Sequence, residues 1–224
     1  AASREQRARR LERGVVVVVV AAVVGLGAIF AVSAGGDGSG GGGGGGEAEA
    51  TAGGGKYPYA VGDPGPGRPA PTLRLPSTQG GTFDLAKQRG KTTLLYFQEG
   101  LMCQPCWDQI KDLERDPSQL EALGIDQMVS ITGNELDDLR TKADEGLETP
   151  ILADPGLQQS AVWEANKYGM MGDSANGHSF VVVGPDGTIR HRADYGGAPK
   201  YTMYVPVSTL VAHLREGLKR EGAA

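Results

Sequence analysis

The feature that most constrains the fold is the position of the two cysteines. A β-branched and apolar run, Thr92–Phe97, ends shortly before Cys103 and Cys106. Apolar residues then recur at helical spacing: Trp107, Ile110 and Leu113. The run predicts a buried central strand, and the spacing predicts an amphipathic helix. We therefore expect a strand, a tight loop, the Cys-x-x-Cys pair and a helix in direct succession.

This placement predicts a redox-active dithiol. The first turn of a helix brings the two sulfur atoms within bridging range, and the partial positive charge at the helix start favours a thiolate. Pro105 suits an early helical position, where its missing N–H costs little. On this hypothesis Cys103 attacks a substrate disulfide and Cys106 resolves the mixed disulfide that forms. The oxidised form is then a Cys103–Cys106 disulfide.

Three other interpretations of the cysteine pair stay open. It could be a permanent structural disulfide, although so short a loop stabilises weakly. It could be half of a Cu(I) site, since copper(I) accepts soft ligands, and the chain would then be a Cu(I) metallochaperone rather than an enzyme; the further candidate ligands are Met102, Met170, Met171 and His178. It could also be a pair of inert core thiols. Two cysteines are too few for a disulfide-stapled scaffold or a four-thiolate zinc site. No cofactor and no other metal is expected.

The amino-terminal region predicts a membrane anchor. Residues 1–13 are rich in arginine, and residues 14–36 carry no charge. About 20 apolar residues suffice to cross a bilayer as a helix, and the arginines place the preceding segment in the cytoplasm. We expect a single-pass cell-membrane protein whose carboxyl-terminal part is extracytoplasmic. The alternative is a cleaved signal peptide, because Val32-Ser33-Ala34 is similar to a small-residue cleavage site.

A glycine-rich linker separates this anchor from the rest of the chain. Seven consecutive glycines stand at 40–46, and such a segment behaves as a flexible coil. The expected organisation is a basic cytoplasmic segment at 1–13, a transmembrane helix or uncleaved signal anchor at 14–36, the linker at 37–56 and one domain at 57–224. The overall net charge is −5 although the amino-terminal segment is basic. The domain is therefore acidic, which argues against nucleic acid as a partner.

The domain alternates strand and helix patterns. The strands and helices predicted in addition to those around the cysteines are a hairpin of Thr72–Pro76 with Thr82–Asp84, a strand at Ile125–Thr132, a helix at Asn134–Glu145 capped by Asn134, a strand at Pro150–Ala153, a helix at Leu157–Ala165, a hairpin of Phe180–Val183 with Thr188–Arg192, and a last helix that begins at Pro206. This order predicts an α/β layered fold with a mixed sheet.

Four further segments carry a family resemblance: Gly67–Pro71 with Leu73 and Leu75, Gly90-Lys91 before Leu94–Phe97, Thr149–Pro155, and Phe180–Val183 with Pro185-Asp186-Gly187. With these segments, the chain from about Val61 to Leu218 resembles the redoxin group, which comprises alkyl-hydroperoxide-reductase/thiol-specific-antioxidant proteins, peroxiredoxins and membrane-anchored thioredoxin-like relatives. The resemblance implies a thioredoxin-like fold: a mixed central sheet flanked by helices, with an amino-terminal β-hairpin. The Gly/Ala/Arg-rich composition also resembles that of actinobacterial proteins.

Within that group the cysteines fit two registers. In the thioredoxin register Cys103 attacks first. In the peroxiredoxin register Cys106 is the sulfur that reacts with peroxide, and Cys103 stands where that group has a Thr. The segment before Phe180 has neither the Arg of peroxidases nor the cis-Pro of thioredoxins. The resemblance therefore implies an oxidoreductase acting by thiol–disulfide exchange, with hydroperoxide reduction as the alternative.

Four further residues are candidates to assist the cysteines: Glu99, Pro105, Trp107 and His178. The buried acid of thioredoxins is absent, because Phe97 stands at its position, so Glu99 is the nearest group that could move a proton. Trp107 could contact partners or anchor the core, and His178 could approach the cysteines through its loop. The expected partners are exported protein disulfides or a membrane electron donor, with hydroperoxides as the alternative substrate.

Overall fold

The chain alternates short strands with helices around one mixed sheet. The computed structural model describes residues 51–52 and 55–221. In chain order its elements are β1 (Thr51–Ala52), β2 (Tyr59–Ala60), β3 (Arg74–Pro76), β4 (Thr82–Asp84), β5 (Thr93–Phe97), α1 (Gln104–Glu114), α2 (Ser118–Glu121), β6 (Gln127–Thr132), α3 (Leu136–Ala143), β7 (Ile151–Ala153), α4 (Gln158–Val162), β8 (Ser179–Val183), β9 (Ile189–Asp194) and α5 (Val207–Glu221). Short 3₁₀ turns lie at Leu85–Gln88, Ala165–Lys167 and Gly172–Ser174.

The sheet has the mixed direction that the sequence predicted. Its strand order is β1-β2-β9-β8-β5-β6-β7, and β3 and β4 form a separate hairpin. β5 pairs in parallel with β6 and antiparallel with β8. All five residues of β5 are buried, as expected for an apolar strand covered on both faces. The carboxyl ends of β5 and β6 therefore meet at one edge of the sheet.

The core is divided between the two faces of the sheet. Successive side chains of a strand point to opposite faces, and β5 follows this rule. Tyr96 packs in one cluster with Trp107 of α1 and Leu210 of α5. Phe97 packs in the other cluster with Leu75 of the β3–β4 hairpin and with Trp163, which follows α4. We name these the α1 face and the hairpin face. Both cysteines belong to the α1 face.

Most of the predicted elements are confirmed, with two corrections among the helices. α3 begins at Leu136 with Glu135 in the cap position, so the prediction that Asn134 caps this helix is wrong. The Asn134 side chain is engaged elsewhere, as described below. The helix predicted at Leu157–Ala165 is limited to α4, and a 3₁₀ turn follows it. Leu157 and Glu164 have left-handed backbone conformations, with φ of 56° and 50°, and these residues interrupt the helix on either side of α4.

The amino-terminal part of the described chain contains two strands that the sequence did not predict. β1, which lies within the predicted linker, pairs antiparallel with β2, and β2 extends the sheet beside β9. Two-residue strands carry no recognisable period. The predicted transmembrane segment at 14–36 lies outside the described residues. Within residues 51–52 and 55–221, no helix combines the length and the apolar character that a bilayer crossing requires.

Candidate active site

The two cysteines lie at the start of α1 and are joined by a disulfide. Cys103 is the cap residue, Pro105 is in the first turn and Cys106 is the third residue of the helix. The Cα atoms of the cysteines are 5.3 Å apart, and the Cys106 amide donates to the Cys103 carbonyl at 3.0 Å. Cys103 is 5% exposed and Cys106 is fully buried. Cys103 is therefore the member of the pair that lies nearer to solvent.

The loop between β5 and α1 is built around Gly100. Its φ is 97°, a conformation that favours glycine, and a Cβ at this position would collide with the side chains of Asn134 and Thr132. The Gly100 carbonyl accepts from the Cys103 amide at 2.9 Å and from the Trp107 indole Nε1–H at 3.0 Å. One carbonyl thus fixes both the cap residue and the first turn of α1.

Asn134, which its sequence position predicts as a helix cap, contacts the loop before Cys103 instead. Its Oδ1 accepts from the Leu101 amide at 3.0 Å and from the Thr132 hydroxyl at 3.0 Å. Asn134 follows β6 just as Leu101 follows β5, and these strands are parallel neighbours. The Asn134 amide group therefore ties the loop before Cys103 to the end of the adjacent strand. The signal that could have identified it is a polar residue directly after a strand beside β5.

Trp107 supports the site from inside the core. Its side chain is fully buried, and its indole N–H is satisfied by Gly100, as a buried Trp requires. The Lys142 ammonium lies over the ring at 5.6 Å. The position of Trp107 fits the core-anchor interpretation, in which the side chain holds the loop and the helix together.

His178 lies on the α1 face and reaches the cysteines through Tyr96. It is fully buried, and its Nδ1 is 2.9 Å from the Tyr96 hydroxyl, which also lies 3.4 Å from the Cys106 carbonyl. Burial lowers the pKa of His178 to about 3, so its ring is neutral at physiological pH. Burial also raises the pKa of Tyr96 well above its usual value. The two side chains therefore act as a neutral, hydrogen-bonded pair beneath the first turn of α1.

Glu99 lies at the rim of the site. Its Oε1 accepts from the Met170 amide at 3.3 Å, which joins the loop before Cys103 to the segment before β8. Partial burial raises the pKa of the Glu99 carboxyl, and the Met170 hydrogen bond opposes that rise. Glu99 is thus a half-buried carboxylate with an increased affinity for a proton, and it lies in the loop before Cys103.

A buried arginine is present, but it lies on the other face of the sheet. Arg192 of β9 pairs with Val181 of β8, and Val181 belongs to the hairpin face. The Arg192 Nε is 2.8 Å from Asp194 Oδ2, and both side chains are fully buried. The guanidinium also lies 5.4 Å from the Tyr168 ring centre. Because the cysteines belong to the α1 face, this ion pair lies across the sheet from the sulfur atoms.

The part of the chain that contains the cysteines matches a known protein family. The AhpC/TSA family model matches residues 66–192, which include both cysteines. A Mycobacterium tuberculosis protein named as a peroxiredoxin, found in two strains, is 32% identical over 130 residues; the match covers 55% of this chain and 81% of the relative.

Solved structures share the fold at low sequence identity. Peroxidoxin BcpB from Mycobacterium tuberculosis has a TM-score of 0.56 at 14% identity, with 68% of this chain and 97% of that chain covered. AhpC of Enterococcus faecalis has a TM-score of 0.55 at 13% identity, with 70% and 92% covered. At these identities the likeness shows the fold alone: a thioredoxin-like α/β fold of the peroxiredoxin type.

Proposed function

This chain belongs to the AhpC/TSA family of oxidoreductases, and from that premise we propose that it exchanges disulfides with other proteins through Cys103 and Cys106. The observation that carries the proposal is the disulfide at the start of α1, in which Cys103 retains a small exposed surface and Cys106 has none. A helix start stabilises a thiolate at its cap. The pair therefore has both the bond to be exchanged and, in Cys103, a sulfur that leaves readily from a mixed disulfide.

The proposed reaction begins from the disulfide form. A partner thiolate attacks the Cys103 sulfur, the Cys103–Cys106 bond breaks, and Cys106 leaves as a thiolate that takes up a proton. A second partner thiol, as its thiolate, then displaces Cys103 from the mixed disulfide. The partner is oxidised to a disulfide and this chain is reduced to the dithiol. The reverse sequence reduces a partner disulfide, and the relative reduction potentials set the direction.

The burial difference supports Cys103 as the sulfur that meets a protein partner. Cys106 has no exposed surface, so a protein thiol reaches Cys103 more readily. Cys103 lies at the end of the helix beside the exposed side chains of Leu101 and Met102. Exposed apolar side chains beside a reactive group are typical of contact surfaces.

Hydroperoxide reduction is the second candidate function, and family membership favours it. In that cycle the Cys106 thiolate attacks one peroxide oxygen and breaks the O–O bond, which forms a sulfenic acid; the departing oxygen takes up a proton from solvent and leaves as an alcohol or as water. The Cys103 thiol condenses with the sulfenic acid and releases water. The product is the same Cys103–Cys106 disulfide. The two candidates differ in which sulfur attacks and in what the first reactant is.

The full chain and its Cys103→Ser and Cys106→Ser variants separate the two functions. Reduction of a protein disulfide and consumption of hydrogen peroxide are measured side by side. Disulfide exchange predicts that the Cys106→Ser variant accumulates a mixed disulfide through Cys103. If the Cys103→Ser variant instead traps partners through Cys106, the roles of the sulfurs are reversed. Fast peroxide turnover combined with slow disulfide reduction would establish the peroxidase and refute our first choice.

We also propose that the domain acts outside the cytoplasm and is tethered to the cell membrane. The support is the charge-free segment 14–36, which follows an arginine-rich stretch. Membrane fractionation with and without carbonate washing tests the tether. Protease added to spheroplasts tests the side. The proposal predicts a washed membrane fraction in which residues 57–224 are digested from outside, and release of the whole chain by the wash would contradict it.

A further inference from the structure

The five methionines of the chain fall into two groups by exposure. Met102 is 95% exposed, Met170 53% and Met171 56%. Met128 and Met203 are instead partly buried and pack against the core of the α1 face. The sequence contains five methionines in all, so every methionine belongs to one of these two groups.

The three exposed methionines lie next to Cys103 or in the segment that is hydrogen-bonded to the loop before it. Met102 directly precedes Cys103, and the segment that carries Met170 and Met171 is held to the same loop by the hydrogen bond from the Met170 amide to Glu99. We name Met102, Met170 and Met171 the methionine rim. Together with Leu101 they make up four of the six exposed large apolar side chains among the described residues. Such a concentration marks a contact surface more than scattered exposure does.

We propose that the methionine rim is a site of reversible oxidation by hydroperoxides, and that its oxidation slows the reaction of the dithiol centre with protein partners. The second half of this proposal rests on the function proposed above. The thioether sulfur attacks one oxygen of the hydroperoxide, an S–O bond forms and the O–O bond breaks. The peroxide proton passes to the departing oxygen, which leaves as an alcohol or as water. Each methionine loses two electrons and becomes a sulfoxide.

When the cysteines are in the disulfide form, the methionines of the rim are the sulfur atoms that an oxidant can reach. In the disulfide form both cysteine sulfurs are bonded and almost fully buried, so neither offers a thiolate to the oxidant. The rim thioethers are then the exposed sulfur atoms of the described chain. A sulfoxide converts a flexible apolar side chain into a polar one. Oxidation therefore changes the surface beside Cys103 without altering the cysteines.

The chemical half of the proposal is tested on the full chain in its disulfide form. Hydrogen peroxide is added, and the sulfoxide at each methionine is followed with time by peptide mass spectrometry. We expect Met102 to oxidise first and Met170 and Met171 next, with Met128 and Met203 several-fold slower than the rim. Equal rates at all five methionines would overturn the assignment of the rim as a site.

The functional half is tested by the rate at which two reductants open the disulfide after the peroxide is removed. One reductant is a reduced thioredoxin, which must dock, and the other is dithiothreitol, which needs little surface. Oxidation of the rim is expected to slow the thioredoxin reaction several-fold and to leave the dithiothreitol reaction unchanged. Treatment with both methionine sulfoxide reductases should restore the rate. Slowing of both reactions alike, or of neither, would overturn the proposal.

Two sets of substitutions serve as matched controls. The Met102→Leu, Met170→Leu and Met171→Leu triple variant keeps an apolar rim that cannot be oxidised, so peroxide should leave its rate unchanged. The Met128→Leu and Met203→Leu double variant should keep the sensitivity of the wild type. If the untreated wild type does not react with any protein dithiol, the proposed exchange function fails, while the oxidation map still tests the rim as a modification site.

Discussion

The side-chain oxygen of Asn134 accepts a hydrogen bond from the Leu101 amide at 3.0 Å. Asn134 follows β6 and Leu101 lies in the loop that leads from β5 to the cysteines. This contact makes the position of the loop depend on the neighbouring strand. The loop is therefore held from one side by Asn134 and from the other by the Gly100 carbonyl, which bonds Cys103 and Trp107.

Replacing Asn134 with alanine is expected to loosen the loop. The variant loses one acceptor shared by the Leu101 amide and the Thr132 hydroxyl, which corresponds to about 0.5–1.5 kcal/mol per hydrogen bond. We expect a lower free energy of unfolding in urea and a slower reaction of the disulfide with a protein dithiol. Gln119→Ala is the control, because it removes an exposed side-chain hydrogen bond to Asp116. A reaction rate equal to that of the control would contradict the role of Asn134.

Substitution of Gly100 by alanine tests the close approach at the loop. Gly90 offers a matched control, because its φ is 90° while that of Gly100 is 97°, yet a Cβ at Gly90 meets no atom within 4 Å. Left-handed backbone alone costs about 1–2 kcal/mol for a residue with a Cβ. We expect Gly90→Ala to lose that amount in urea unfolding and Gly100→Ala to lose clearly more. Equal losses would mean that the collision with Asn134 and Thr132 is relieved at no cost.

The buried imidazole of His178 predicts a pH dependence of stability. Its pKa is about 3 in the folded chain because burial disfavours the charged ring, whereas an unfolded histidine has a pKa of about 6.5. Between these values the unfolded state binds more protons, so the contribution of His178 to stability is complete above about pH 6.5 and declines as the pH falls toward 3. Urea unfolding from pH 7 to pH 4 measures this slope.

The His178→Asn variant should flatten that slope while it lowers stability at pH 7. The His213→Asn variant is the control, because His213 is half-buried and its pKa is lowered less strongly, again by burial first. His191, whose pKa burial lowers to about 4, contributes the same sign in the wild type and in both variants. An unchanged slope in His178→Asn would refute the assignment of a neutral, buried ring.

Substitutions in the Arg192–Asp194 ion pair are expected to lower the stability of the fold without changing the reaction rate of the disulfide. Replacing Arg192 with leucine leaves a buried carboxylate without its cation, which costs about 3–5 kcal/mol. Arg192→Lys keeps a charge but loses the Nε contact, so we expect an intermediate loss. Because the pair lies on the hairpin face, the reaction rate of the disulfide per folded molecule should stay unchanged in Arg192→Lys. A large rate loss in that folded variant would show that the arginine acts across the sheet on the cysteines.

Local periodicity explains which parts of the fold were predictable. β5, α1 and the hairpin of β8 and β9 each carry their pattern within a few consecutive residues, and the structure has them at the predicted places. The short strands β1 and β2 have too few residues to show a period, and their pairing depends on the edge of β9.

The site was predictable only where its contacts are close in sequence. The disulfide pair, Pro105 and the packing of Trp107 follow from spacing along one helix. Asn134 was assigned as a cap because it precedes a helix, but its partner Leu101 is 33 residues away. The Tyr96 hydroxyl likewise meets His178, 82 residues away. Which side chains meet at the end of a sheet depends on strand order, and one sequence does not reveal strand order before the fold is known.

The place of Cys103 at the cap of α1 couples the oxidation state of the protein to the integrity of a helix. In the disulfide form the Cys103 side chain makes no capping hydrogen bond, and Pro105 in the first turn has no N–H to offer. When the bond opens, a Cys103 thiolate can interact with the partial positive charge at the helix start. Reduction of the disulfide then changes the stability of the first turn of α1. Amide hydrogen exchange at its first residues thus becomes a direct gauge of the redox state of the molecule.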